Sequence, residues 1–182
     1  KVQDGNYGES YPKSHELLAE GVPFITSAVI SGNSINPLKL KYISEEKHAA
    51  LAKAHIKQRD LLLTNRGANV GRCAVTPVEL NDANIGPQVT LIRCKKRMHY
   101  KFMYYLLRSN YVQKQIEIAN AGSAMNFMSL KGTNELKLVC PPYEEQEEIV
   151  NSLDMVANAR SEILKDALVA QELQKTLISQ VF

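Results

Sequence analysis

From the proline pair Pro141-Pro142 to Phe182 the chain runs without another proline and without a glycine. Paired prolines resist both helix and central strand and push the residue before each toward extended geometry, so the pair marks a linker or a helix start. Directly behind it Glu144, Glu145, Glu147 and Glu148 crowd the first turn, where negative charge complements the helix dipole. The spacing predicts a helix from about 144 to 180, roughly 55 Å long at 1.5 Å per residue. A rod of that length cannot be buried in the 143 residues ahead of it. Its apolar positions step by four and three: Ile149, Leu153 and Val156, then Ile163, Ala167 and Ala170, then Leu177 and Val181. Arg160 and Gln174 interrupt this heptad-like seam, and Leu164, Leu168 and Ile178 widen it. A stripe of that kind packs against at least one other long helix. The alternative is a helix folded back on its own domain.

The charge divides at the same place. Residues 1–143 carry 19 Lys and Arg against 11 Asp and Glu, whereas residues 144–182 carry 3 against 8, so the net +3 hides a basic body and an acidic tail. A basic body points to a polyanion partner for that part alone, through counterion release at phosphates; the alternative is a mildly basic domain with a solvated acidic helix. With 45% hydrophobic and 23% charged residues the chain is close to an average folded domain. No run approaches the roughly 18 apolar residues of a membrane span and no basic-then-apolar leader opens the chain, so the reading is cytoplasmic and not membrane-bound. The start at Lys1 points to a processed, truncated or renumbered product. Cys73, Cys94 and Cys140 are far apart and lack metal-ligand spacing, which reads as three plain buried thiols.

The body reads as mixed α and β. Val22 to Ile30 resembles a strand entered from Gly21 and left at Ser31-Gly32-Asn33. Ser44, followed by Glu45 and Glu46, is a helix N-cap opening a short helix to about His55. Leu61 to Thr64, Cys73 to Val78 and Val89 to Arg93 are strand-like runs, and Leu136 to Val139 is a last strand. Phe102, Tyr105, Leu106, Val112, Ile116 and Ala119 recur at helical spacing, which predicts one amphipathic helix from Tyr100 to Ala119 with its aromatics in the core.

Catalytic chemistry finds little support. Cys140-Pro141-Pro142-Tyr143 has the shape of an adenine methyltransferase motif, but that motif needs a side-chain oxygen in first place to accept from the exocyclic amine, and cysteine has none. No glycine-rich strand-to-helix turn offers a cofactor site. Glu135-Leu136-Lys137 contains the Glu-x-Lys fragment of metal-dependent nucleases, but such a site needs a second, upstream carboxylate close in space, and a triplet this short recurs by chance. His15, His48, His55 and His99 show no paired ligand spacing and read as surface or cap residues, so no metal, cofactor or catalytic residue is assigned. Gly67 and Gly71 lack the Lys-Ser/Thr of a phosphate loop. Binding is favoured over chemistry.

The ordered series Asp4-Gly5-Asn6-Tyr7-Gly8-Glu9-Ser10-Tyr11-Pro12-Lys13, Gly21-Val22-Pro23-Phe24-Ile25, Tyr42-Ile43-Ser44-Glu45-Glu46, Asp60-Leu61-Leu62-Leu63-Thr64 and Arg66-Gly67-Ala68-Asn69-Val70-Gly71-Arg72 resembles a target recognition domain of a type I restriction-modification DNA specificity subunit. Gly122-Ser123-Ala124 and the exit Pro141-Pro142, Glu145-Gln146 continue the series over nearly the whole chain. The resemblance implies an α+β fold: a mixed α/β globular target recognition domain with a twisted β-sheet over 1–143, followed by one long coiled-coil helix over 144–182. A full specificity subunit has two such halves and this chain resembles one. It is therefore either a half-length subunit that forms a homodimer through the helix or a fragment of a longer chain. The resemblance also implies double-stranded DNA, methyltransferase subunits and a restriction translocase subunit as partners, with no cofactor held by this chain.

Each half would read one part of a split DNA site while the paired helices set the spacing, with Ile149, Leu153, Val156, Ile163, Ala167, Ala170 and Leu177 on the pairing face. Asn6, Tyr7, Lys13, Arg66, Asn69 and Arg72 are the candidate DNA contacts because they join hydrogen-bonding side chains to glycine-rich loops, and Lys131 beside Gly132 is a candidate phosphate contact. The alternative is ordinary turn structure, with Gly5, Gly8, Gly67 and Gly71 only making turns. Two rival functions are a coiled-coil adaptor without specific DNA binding and the recognition piece of a single-chain restriction-methyltransferase.

Overall fold

The computed structural model describes residues 1–32, 34–51, 53–120 and 126–181. Asn33, Gly122-Ser123-Ala124 and the side chain of Val181, all invoked above, lie outside the described residues. The central element is a four-stranded antiparallel sheet in the order β1 (Val2–Asp4), β9 (Val89–Ile92), β6 (Leu61–Thr64), β7 (Cys73–Val75). Leu61, Leu62, Leu63 and Thr64 are all buried, which explains an unbroken apolar run where a half-exposed strand would alternate. Leu61 and Leu63 point into one core with Cys73, Ile92, Met103, Leu107, Val112 and Ile116. Leu62 points the other way, into a second core with Ala74, Val89, Leu91, Ile25 and Ile85.

The second core is closed by a three-stranded sheet in which β2 (Val22–Ile25) pairs antiparallel with β5 (Lys41–Ile43) and parallel with β8 (Asn84–Ile85). The hairpin β3 (Ile30–Ser31) and β4 (Ser34–Ile35) adds Ile30 and Ile35 to this core, with β4 against β7. The first core is roofed by α2 (Tyr100–Arg108), α3 (Asn110–Asn120) and the segment carrying α4 (Leu130–Glu135). The fold is thus mixed α and β with a long C-terminal helix, α5 (Tyr143–Val181). Gly5 sits where β1 crosses β8; a Cβ there would lie 2.0 Å from the Gly86 carbonyl oxygen, so only glycine permits the crossing.

Several expected elements are shorter or different. The Val22 strand ends at Ile25 because Ser27–Val29 forms a 3-10 turn, and the strand from Cys73 ends at Val75 before the 3-10 turn Val78–Leu80. Ser44 caps α1 (Glu45–Ala50) by accepting the Lys47 N–H at 3.1 Å, but that helix stops five residues short of His55. The single helix expected from Tyr100 to Ala119 is broken at Ser109, whose ψ of 150° is extended and whose hydroxyl donates to the Leu106 carbonyl and accepts the Val112 N–H. Leu136 to Val139 is not a strand: Leu136 and Leu138 pack on the first core while the Lys137 N–H is taken by the Gln115 amide oxygen at 2.8 Å. Of the three thiols only Cys73 is buried; Cys94 is half-buried and Cys140 exposed. Burial pushes the Cys73 thiol up to about 12 and the Cys94 thiol up to about 11.

The helix α5 does not fold back. At 1.5 Å per residue its 39 residues span about 58 Å. Among the described side chains of α5 only Gln146 and Val150 are buried, and every side chain from Met155 to Gln180 is exposed. No helix among the described residues is long and apolar enough to cross a membrane.

Candidate nucleic-acid interface

The antiparallel register puts the end of β1, the end of β6 and the start of β9 at one end of the sheet, since Asp4 pairs with Thr90 and Thr64 with Val89. Three connections emerge there. The first follows β1: Asn6 is buried, its amide donating to the Lys53 carbonyl at 2.9 Å, while Tyr7 next to it is exposed with the Lys53 ammonium 4.1 Å above its ring. The second is the β6–β7 loop, 65–72. Its closure uses Thr64, which bonds the Arg72 carbonyl through both N–H and hydroxyl, and Gly71, whose φ of +89° is a left-handed conformation. Arg66 and Arg72 are exposed on this loop, and Asn69 is half-buried with its carbonyl accepting the Arg72 N–H. The third is the segment entering α4, where Phe127 forms a bridge to Arg66 and lies under its guanidinium at 4.8 Å.

Beneath these groups lies a polar cluster. The Asn65 amide donates to the Thr90 hydroxyl at 2.8 Å and to Asp4 Oδ1 at 3.5 Å, and the Thr90 hydroxyl donates to the same Asp4 oxygen at 3.2 Å. Burial raises the Asp4 carboxyl above its ordinary value, against the Thr90 hydrogen bond and the nearby charges of Lys53 and Arg66. The contacts thus bring together Asn6, Tyr7 and Arg66, with Asn69 and Arg72 on the same loop. Among the described residues they do not tie in Lys13, exposed beyond Pro12, or Lys131, exposed on α4 with Glu135 3.8 Å away. Lys53 and Phe127 were missed. Neither stands in a motif, and each joins the cluster only through tertiary contact. Rings paired with cations, exposed Tyr7 under half-buried Lys53 and Phe127 under exposed Arg66, are groups able to stack bases and neutralise phosphates.

The opposite end of the sheet, about 13 Å away along the four residues of β6, carries a second basic group. Lys57, Arg59, Lys95 and Lys96 line an open pocket of about 300 Å³ with Tyr100 and Tyr143. Its floor is fixed by Arg93, which donates to both oxygens of the buried Asp60 at 2.7 and 2.6 Å. That bidentate bond raises the Arg93 pKa further. The run Lys95-Lys96-Arg97 was the available signal for this group.

The helix α5 leaves the body at this second end. The Gln146 amide donates to the Arg97 and Pro141 carbonyls at 3.0 and 2.8 Å, and two turns on Asp154 accepts the Tyr105 hydroxyl at 2.6 Å and an ion-paired hydrogen bond from Lys101. Burial pushes the Asp154 carboxyl up, but the bonds from Lys101 and Tyr105 outweigh it and hold the carboxyl below the usual range; burial and the bond to Asp154 push Tyr105 to about 12. Beside this joint Phe102, Tyr105, Leu106, Val139, Ile149 and Leu153 line an apolar groove of about 670 Å³. Past it Val156, Ile163, Leu164, Leu168, Leu177 and Ile178 stand 52–68% exposed on α5, and Ala167 and Ala170 are exposed between them.

The chain thus joins a mixed α/β body with two basic ends to a projecting helix. Residues 4–171 match the family of the type I restriction modification DNA specificity domain, and the chain belongs to that family. It is 28% identical over 167 residues to a putative type I restriction enzyme MjaX specificity subunit of Methanocaldococcus jannaschii, an alignment covering 89% of this chain and 39% of the relative. The fold is similar to the HsdS subunit of Thermoanaerobacter tengcongensis, with a TM-score of 0.63, 21% identity and coverage of 87% of this chain and 35% of that one. It is also similar to the S subunit of a type I restriction-modification system from M. genitalium, with a TM-score of 0.59, 21% identity and coverage of 94% and 41%. The chain therefore spans about two fifths of the length of these relatives.

Proposed function

We propose that this chain is a non-catalytic half of a DNA specificity unit: its body reads one part of a bipartite duplex site, and α5 pairs antiparallel with a second such helix that carries another reader. Partner methyltransferase subunits supply the chemistry, and a restriction translocase joins the same assembly. Tyr7, Arg66, Asn69 and Arg72 face the duplex together with Lys53 and Phe127, and the buried Asn6 holds the Lys53 segment in place. Lys13 and Lys131 serve as outlying phosphate contacts.

The observation that carries the reading is the exposure of the α5 stripe. Apolar side chains that recur every three or four residues over about 39 Å of helix, from Met155 to Gln180, are what a coiled-coil partner covers and what water alone does not favour. The apolar groove around Leu153 and Ile149 extends that surface to the body, so a second helix would be gripped along its whole length. A homodimer through α5 supplies the second helix and places two basic bodies at fixed separation.

The test is salt-dependent binding to duplex DNA. With the methyltransferase partner present, affinity for a duplex carrying the site is expected to fall linearly in log-log form with salt and to exceed affinity for random duplex by at least a thousandfold. Equal affinity for both duplexes sinks the recognition role and favours an adaptor that works through the helix alone.

A further inference from the structure

Between the two basic groups, His48 on α1 and His55 beyond it meet Asp82 from the turn that leads into β8. One donor atom from each of the three lies within 4.8 Å of the others, and the two imidazole centroids are 4.6 Å apart. Each ring is held by its far nitrogen. His48 Nδ1 lies 2.6 Å from the side-chain oxygen of buried Asn84, and His55 Nε2 lies 2.6 Å from the main-chain oxygen of Leu51. A carbonyl oxygen can only accept, so those nitrogens carry the ring protons. In the neutral rings the lone pairs are then on His48 Nε2 and His55 Nδ1.

Both lone pairs face one carboxylate. His48 Nε2 is 3.5 Å from Asp82 Oδ2 and His55 Nδ1 is 3.2 Å from Asp82 Oδ1. Two nitrogen lone pairs opposed to two anionic oxygens repel unless the rings take up protons and pair with the carboxylate, or a metal cation stands between them. Nitrogen–oxygen separations of 3.2 and 3.5 Å, with one donor atom from each residue within 4.8 Å of the others, bring together two imidazoles and a carboxylate, the donor types that Zn²⁺ takes. A carbonyl behind each imidazole is the usual outer support of a ligating histidine, fixing tautomer and ring orientation. Asp82 is itself set in place: its φ is +68°, in the left-handed region, and its N–H bonds the Ile56 carbonyl at 2.7 Å. Its side chain is 65% exposed, which leaves entry and a fourth position open to solvent.

We propose that His48, His55 and Asp82 form a site for one divalent transition-metal ion of the Zn²⁺ class. The ion joins α1 and the strand-like segment after it to the Asp82–Asn84 turn, and so anchors the stretch that carries Lys53. On the proposed division of labour, in which partner subunits supply the chemistry, the ion serves to tie these segments together.

The test is titration of the metal-free, tag-free chain with Zn²⁺ by calorimetry and with Co²⁺ by visible absorption. One ion per chain, a tetrahedral Co²⁺ spectrum and a rise in thermal midpoint with Zn²⁺ are expected. Asp82→Asn keeps a residue that tolerates the left-handed backbone, so its metal-free melting should match the parent while its Zn²⁺ affinity drops at least tenfold; His55→Gln should lose a similar factor. Absence of stoichiometric binding overturns the proposal, as does unchanged affinity in Asp82→Asn. A thiolate-to-cobalt charge-transfer band, which would place the ion on exposed Cys140, overturns it too.

Discussion

Gln146 Oε1 accepts the backbone N–H of His99 at 2.8 Å, joining the first turn of the long helix α5 to the start of α2. The side chain is fully buried, and its amide nitrogen serves the Arg97 and Pro141 carbonyls. With Val150 and Asp154 further along, this residue sets the direction in which the helix leaves the body. Gln146→Ala strips partners from one donor and two acceptors, each costing about 1–3 kcal/mol if water cannot replace the amide. The expected loss is about 3 kcal/mol in urea unfolding with an unchanged slope. A loss below about 0.5 kcal/mol would mean that solvent substitutes freely and that the joint is held by Val150 and Asp154 instead.

Arg66 is exposed, with its guanidinium over Phe127 and no core role. Arg66→Ala should leave the thermal midpoint within a degree or two and weaken duplex binding in the assembled complex at fixed salt. A base contact would cost about 1–3 kcal/mol for the true site alone, whereas a phosphate contact would lower affinity for all sequences and reduce the salt slope by about one. Unchanged affinity for every duplex would remove Arg66 from the interface.

Asp4 lies beneath the same loop with its carboxyl pushed up chiefly by burial. A carboxyl with a raised folded pKa costs stability when ionised, so the penalty is present above that value and disappears as pH falls below the ordinary aspartate range. Asp4→Asn keeps an oxygen for the Thr90 and Asn65 donors and removes the charge. A higher melting temperature is expected at neutral pH, converging on the parent in acid, together with tighter nonspecific duplex binding. A variant that melts lower at neutral pH would show that the charge organises the loop through Lys53 and Arg66.

Leu153→Glu with Ile163→Glu places two charges on the exposed seam of α5. Sedimentation should shift the chain toward monomer while circular dichroism of the body persists, because neither side chain belongs to either core of the four-stranded sheet. A sedimentation profile identical to the parent's rules out pairing through this face.

The long helix and the central strands were legible because their signals are local. Thirty-nine residues free of helix breakers and an apolar run at Leu61–Leu63 need no knowledge of what packs against them. The break at Ser109 was hidden because serine disrupts a helix only when its hydroxyl finds the right backbone partners, which the Leu106 carbonyl and Val112 N–H supply. Leu136–Val139 misled because its apolar residues pack singly onto a core and not in a ladder. At the candidate interface the glycine-rich loops marked Arg66 and Tyr7, but Lys53 and Phe127 reach them only through the fold. His55 follows His48 by seven positions, and the two rings meet through the fold in a way no spacing rule records.

The central claim is that the body selects a DNA site and the paired helix sets its span. Sequencing methylated adenines in host DNA, with this chain present and deleted, tests it most directly. Methylation at one split motif that vanishes on deletion is the expected result, with a gap that lengthens when whole turns are inserted in α5. A methylation map unaltered by deletion would contradict the account.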